Sequence, residues 1–143
     1  MKTREIKFRA WDADEKEMYY GVGVTPLRVI IYEDVNGKMI PPKETGYIGI
    51  DRDELFLMQY TGMEINDDVQ IYEGDILCGS DSEGYGPEAI HYTIKSVVSW
   101  DNEDGKWVVT EIGDEQKYDL YDYGLIDFVA GNIYQNPELL IIK

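Results

Sequence analysis

Glu73-Gly74-Asp75 places two carboxylates around a flexible residue. Such a pair can divide general-acid and general-base work when its surroundings drive the two pKa values apart. The same three residues suit a bend, because Gly reaches positive φ without a Cβ clash and the flanking acids cap or solvate a turn. With no reactive partner beside them, the turn is the stronger reading. Two more acidic runs, Asp12-Ala13-Asp14 and Asp101-Asn102-Glu103-Asp104-Gly105, offer oxygen ligands for Ca²⁺ or Mg²⁺. Neither has Gly at the sixth loop position, and the fifth positions, Lys16 and Gly105, bring no ligand side chain. Both read as exposed hairpin turns. No cofactor or metal is expected, and metal-assisted hydrolysis by clustered carboxylates, Glu73 and Asp75 included, stands only as an alternative.

Cys78 and His91 are the sole residues of their kinds. A Cys–His nucleophile would require them to meet in space, and no spacing motif brings them together. Cys78 closes an apolar run and reads as a small core residue. A single cysteine also excludes an intramolecular disulfide or a Cys-based cluster within one chain. No phosphate-binding Gly motif occurs. The aromatic residues Trp11, Tyr19, Tyr20, Trp100, Trp107, Tyr121 and Tyr123 could supply an interaction surface, since large amphipathic rings dominate interface hot spots. Among them Trp11 is the best exposed candidate: it shares the polar face of its segment with Arg9, where a cation–π contact could hold it.

Charge limits the partners. With 29 acidic and 13 basic residues the formal net charge is −16, a field that repels phosphate backbones. Beyond Lys2, Arg4, Lys7 and Arg9 the basic residues are scattered, which argues against direct nucleic-acid binding. Solubility accounts for much of this acid, and imitation of DNA toward a host DNA-binding protein is a sharper alternative. The expected partner is another protein or a second copy. Met1–Arg4 leads straight into mixed polar and apolar residues, without a signal-type or membrane-spanning apolar run, so the cytoplasm is the expected location.

The elements that position these residues read as strands. Arg4–Trp11 alternates with period 2, as a half-buried strand does, and the polar turn after it leads to Met18-Tyr19-Tyr20 as a hairpin partner. Asn36-Gly37 supplies the positive φ angles of a tight hairpin, after the apolar run Leu27–Tyr32. Pro41-Pro42 interrupts pairing, so residues from about 41 to 53 form a connector, with Gly46–Ile50 a short strand inside it. Leu55–Tyr60 is apolar throughout and fits strand or helix, ended by Thr61-Gly62. Ile71–Cys78 is followed by a Gly- and Ser-containing exposed loop, Gly79–Pro87. His91–Trp100, Trp107–Ile112 and Phe128–Tyr134 read as further strands.

Four segments resemble the YopX-like proteins of bacteriophages and prophages: Arg4–Asp12 (REIKFRAWD), Leu57–Gly62 (LMQYTG), Ile71–Ile76 (IYEGDI) and Gly131–Leu140 (GNIYQNPELL). The resemblance implies a phage or prophage origin, a mainly β fold whose C-terminal part is similar to an SH3-like barrel, and no assignable activity or catalytic residue. Such proteins often carry Asn-Gly where this chain has Asp67-Asp68. The expected architecture is a mainly β chain, with residues 1–62 as an N-terminal hairpin and sheet region packed with a small C-terminal SH3-like β-barrel, residues 63–143. The expected function is a nonenzymatic protein-binding or self-associating phage accessory protein.

Overall fold

The computed structural model describes residues 4–25, 29–40, 55–141 and the backbone of 49–50. Leu27-Arg28 and most of the expected connector lie outside the described residues. Among those residues the chain forms eleven strands, three short 3₁₀ turns and no α-helix, so the fold is mainly β. It divides into two units, Met1–Gly62 and Met63–Lys143.

In the N-terminal unit, β1 (Phe8–Asp12), β2 (Glu17–Val24), β3 (Val29–Ile31), β4 (Gly49–Ile50) and the first part of β5 (Leu55–Ile65) pair antiparallel in the order β4-β3-β2-β1-β5. The β1–β2 turn is closed by Asp12, whose Oδ1 accepts the N–H groups of Asp14 and Glu15 at 3.0 and 3.1 Å. That acidic run is turn chemistry. Ala10, Val29, Ile31 and Leu55 form the core, with Tyr19, Val22, Ile40 and Leu57 packed on it. The Asn36-Gly37 turn is present in altered form: Gly37 takes φ 81° and Asn36 does not take positive φ. Asp34 Oδ1 closes the turn instead, accepting from the N–H groups of Asn36 and Lys38 at 2.9 Å.

Half-burial of the first strand is corrected. β1 lies between β2 and β5, and Arg9, Ala10, Trp11 and Asp12 are all buried in succession. A strand covered on both faces hides its polar alternates as well as its apolar ones. Leu55–Tyr60 resolves as strand, but Thr61-Gly62 does not end it: Gly62, at φ 87°, stays within β5.

The C-terminal unit begins on the last residues of β5. Asn66 and Asp67, at φ 55° and 65°, make the turn into β6 (Val69–Tyr72), with the Asp68 N–H reaching the Ile65 C=O at 3.3 Å. The left-handed pair is thus Asn66-Asp67, one residue earlier than the Asp67-Asp68 of the sequence reading. A five-stranded antiparallel sheet follows in the order β10-β9-β8-β7-β11: β7 (Asp75–Glu83), β8 (Ile90–Asp101), β9 (Lys106–Glu111), β10 (Lys117–Asp119) and β11 (Phe128–Asn132). Asp101 Oδ1 caps the β8–β9 turn through the N–H of Glu103 at 2.9 Å. Ile71, Leu77, Val98, Trp107, Val109, Leu120 and Tyr123 form the core, each fully buried aliphatic side chain contributing about 1.5–3 kcal/mol.

Two expectations change here. Gly79–Pro87 is not all loop, since β7 continues to Glu83, paired residue for residue with β8 from Gly79↔Ile94 to Glu83↔Ile90. The polar residues Ser80 to Glu83 have weak strand preference, but their partners Thr93, Tyr92, His91 and Ile90 hold them in the ladder. The barrel description also exceeds what is observed: β10 and β11 are terminal strands with no ladder between them among the described residues.

Candidate functional site

The segment between β6 and β7 is a corner. Gly74 adopts φ 85°, its N–H donates to the Val98 C=O at 2.9 Å, and its own C=O accepts from the Ile133 N–H at 2.9 Å. Asp75 is 1% exposed, and its Oδ2 accepts the Tyr72 N–H at 2.8 Å. Across the ladder from Asp75 stands Asn132. Its Oδ1 accepts from the N–H groups of Tyr134 and Gln135 at 3.1 and 2.8 Å, while Asn136 Oδ1 accepts the Asn132 N–H at 3.2 Å. IYEGDI and GNIYQNPELL, distant in sequence, are therefore two halves of one hydrogen-bonded corner. Asp75 is engaged in closing it, which is the turn role expected of Glu73-Gly74-Asp75.

An open cleft of about 1040 Å³ in the C-terminal unit is large enough to receive a ligand. One wall is Tyr92–Lys95 of β8; the other runs through Ile112, Asp114, Lys117 and Tyr118 to Leu125. Five carboxylates line it, Asp81, Glu111, Asp114, Asp119 and Asp122, against two lysines, Lys95 and Lys117. Lys95 Nζ donates to the Leu139 C=O at 2.7 Å. Tyr123 Oη donates to Glu111 Oε2 at 2.8 Å, both residues being buried. Burial, then the Glu111 carboxylate, push the Tyr123 hydroxyl well above the ordinary tyrosine value. Tyr118, its ring centroid 5.3 Å from that of Tyr123, is raised by the same two causes. Tyr92, which donates to Asp81 Oδ2 at 3.4 Å, is raised by desolvation and then by Asp81. The cleft therefore presents phenol rings beside carboxylates. That combination takes a cation at its carboxylates and an aliphatic stem along its rings.

A family model described as YopX protein matches residues 7–141. The chain belongs to the YopX family. No curated protein matches it. Among solved structures it is similar to the crystal structure of protein EF1440 from Enterococcus faecalis, at 24% identity and a TM-score of 0.54, over 97% of this chain and 100% of that one. This likeness concerns the fold alone.

The other residues singled out in this YopX-family chain fall as follows. Arg9 and Trp11 are 6% and 8% exposed, so the exposed aromatic face expected at Trp11 is corrected. Arg9 Nη2 lies 3.4 Å from Met58 Sδ. The cation–π contact nearby is made by Lys7, whose Nζ sits 4.7 Å from the Tyr60 ring centroid. Cys78 is buried and pairs across the ladder with Lys95, whereas His91 pairs with Ser82. Four ladder positions, roughly 13 Å at the rise of a strand, separate the two, so no Cys–His dyad forms. Among the described residues no group of three or more His, Cys, Asp or Glu is placed to hold a metal ion. No described helix is long and apolar enough to cross a membrane. Of the cleft residues, sequence reasoning had singled out only Tyr123. The signal available was the run Asp114–Tyr123, where acids and tyrosines interleave.

Proposed function

We propose that this YopX-family chain is a phage or prophage accessory protein that acts in the host cytoplasm by binding another protein, without turnover, through the cleft of its C-terminal unit. The observation that supports this is the cleft itself: about 1040 Å³, open, walled by tyrosines and carrying five carboxylates. Those are the parts of a recognition surface, with rigid amphipathic rings for contact area and charges for selection. The test is affinity capture from phage-infected or lysogenic cells, comparing the native chain with a double variant, Asp114→Lys with Asp122→Lys. The reading expects a protein retained by the native chain and lost with the variant. Equal retention by both would remove the cleft from the account, and a monomer with no retained protein but reproducible turnover would remove the binding reading.

The net charge of −16 favours a second reading, in which the acidic surface occupies a host DNA-binding protein in place of DNA. It expects host nucleases or regulators to release DNA when the chain is added. Unchanged DNA binding across a titration would dismiss it.

A further inference from the structure

The β7–β8 ribbon outruns its neighbours in the sheet. β9 pairs with β8 only from Ser96 to Asp101, and β11 pairs with β7 only from Asp75 to Cys78. The ribbon itself continues without a register shift from Ile76↔Val97 to Glu83↔Ile90. In an antiparallel pair, residues alternate between those that exchange hydrogen bonds with the partner and those whose N–H and C=O point away from it. The Ile112 N–H donates to the Lys95 C=O at 2.8 Å, which fixes that alternation. Lys95 turns its backbone groups toward the β9 side, and so do Thr93 and His91, two and four residues earlier. By then β9 has ended at Glu111, and no strand pairs with Thr93 or His91 on that side among the described residues. Thr93 stands on the wall of the cleft with Tyr92, Ile94 and Lys95. A vacant strand position therefore opens into an acidic cleft.

We infer that an extended segment of a partner protein, bearing lysine or arginine at alternate positions, adds to the β8 edge at His91–Lys95 as an extra strand. This rests on the protein-binding reading and names the chemistry of its partner. Main-chain hydrogen bonds to Thr93 and His91 supply affinity, and alternate side chains entering the cleft supply specificity. Charge selects the occupant. Glu111 is held by Tyr123, Lys95 by the Leu139 carbonyl and Asp119 by Lys106 at 3.7 Å, which leaves Asp114 and Asp122, with Asp81 beside its long bond from Tyr92, to meet cations. A second copy of this chain, at −16, is repelled by the same field.

Fluorescence anisotropy of a labelled peptide of alternating lysine and valine, added to the full chain, tests this. The parent peptide binds; the same peptide N-methylated at every second residue, so that one edge loses its donors, binds about tenfold or more weakly. Glutamate in place of lysine abolishes binding. Thr93→Pro weakens the parent peptide in the same way, because the lost N–H points away from β7 and edge strands accept proline; circular dichroism confirms that the variant is folded. Equal binding of the parent and N-methylated peptides overturns strand addition, as does no binding of the parent. If in either case a captured protein is still lost with the Asp114→Lys, Asp122→Lys variant, strand addition alone has failed and the protein-binding reading stands.

Discussion

The two units use antiparallel sheet to opposite ends. In the N-terminal unit the central strand β1 is paired on both sides and buried on both faces, so its most chemically suggestive residues, Arg9 and Trp11, are interior. In the C-terminal unit the longest strand, β8, extends past its neighbour β9 and leaves Tyr92–Lys95 on the wall of an open cleft. Pairing that is complete consumes side chains and backbone alike; pairing that stops early leaves both for a partner. On the proposed reading, the first region serves stability and the second offers a surface for recognition.

The largest effect expected is at Trp11. If it is interior, Trp11→Ala costs about 3–5 kcal/mol in urea unfolding followed by circular dichroism; a surface residue would change stability by no more than about 0.5 kcal/mol. In the C-terminal unit, Gly79→Ala comes next. A Cβ there would lie 2.0 Å from the Leu125 carbonyl oxygen, and displaced backbone costs on the order of 3 kcal/mol. Asp75→Ala strips the acceptor from a buried turn and costs about 1–3 kcal/mol, whereas Asp75→Asn keeps an acceptor oxygen and costs less. Equal losses for the two would remove the turn-closing role.

The pH response separates the units further. In the N-terminal unit Tyr19 is pushed up to about 12 by burial and then by its hydrogen bond to Glu17, and Tyr123 in the C-terminal unit is raised further. Both hydroxyls are held neutral in the folded state. The linked stability is present in full below the unfolded tyrosine pKa of about 10 and is lost as pH rises through the folded values. Thermal unfolding between pH about 8 and 12, which spans the onset of that loss, is expected to show a fall above pH about 10 that Tyr19→Phe and Tyr123→Phe each reduce. An unchanged fall in both variants would contradict the assignment. The smallest effect is a gain: Asp67 sits at φ 65°, and Asp67→Gly relieves it by about 1 kcal/mol.

Sequence pattern revealed the strands because period-2 alternation and turn residues are local properties. It revealed the turn role of Asp12 and Asp101 for the same reason, since an Asp side chain caps the backbone two or three residues on. It misplaced Trp11 because burial on a second face depends on what else packs there, which alternation within one strand does not encode. It read Gly79–Glu83 as loop because those polar residues are held in place by their partners across the ladder. IYEGDI and GNIYQNPELL were visible as motifs, but the hydrogen bond from Ile133 to Gly74 that unites them is tertiary. The cleft was hidden for a related reason: Asp81, Tyr92, Asp114 and Asp122 come from separate segments, and only the early end of β9 leaves an opening among them.

Backbone amide NMR of the isotopically labelled chain, titrated with the alternating lysine–valine peptide, tests the central claim most directly. Recognition by the C-terminal cleft predicts shifts at Tyr92–Lys95 and in the segment from Ile112 to Tyr118, with β1 to β3 unmoved. Shifts that centre on the N-terminal unit, or no saturable shifts in the cleft, would contradict it.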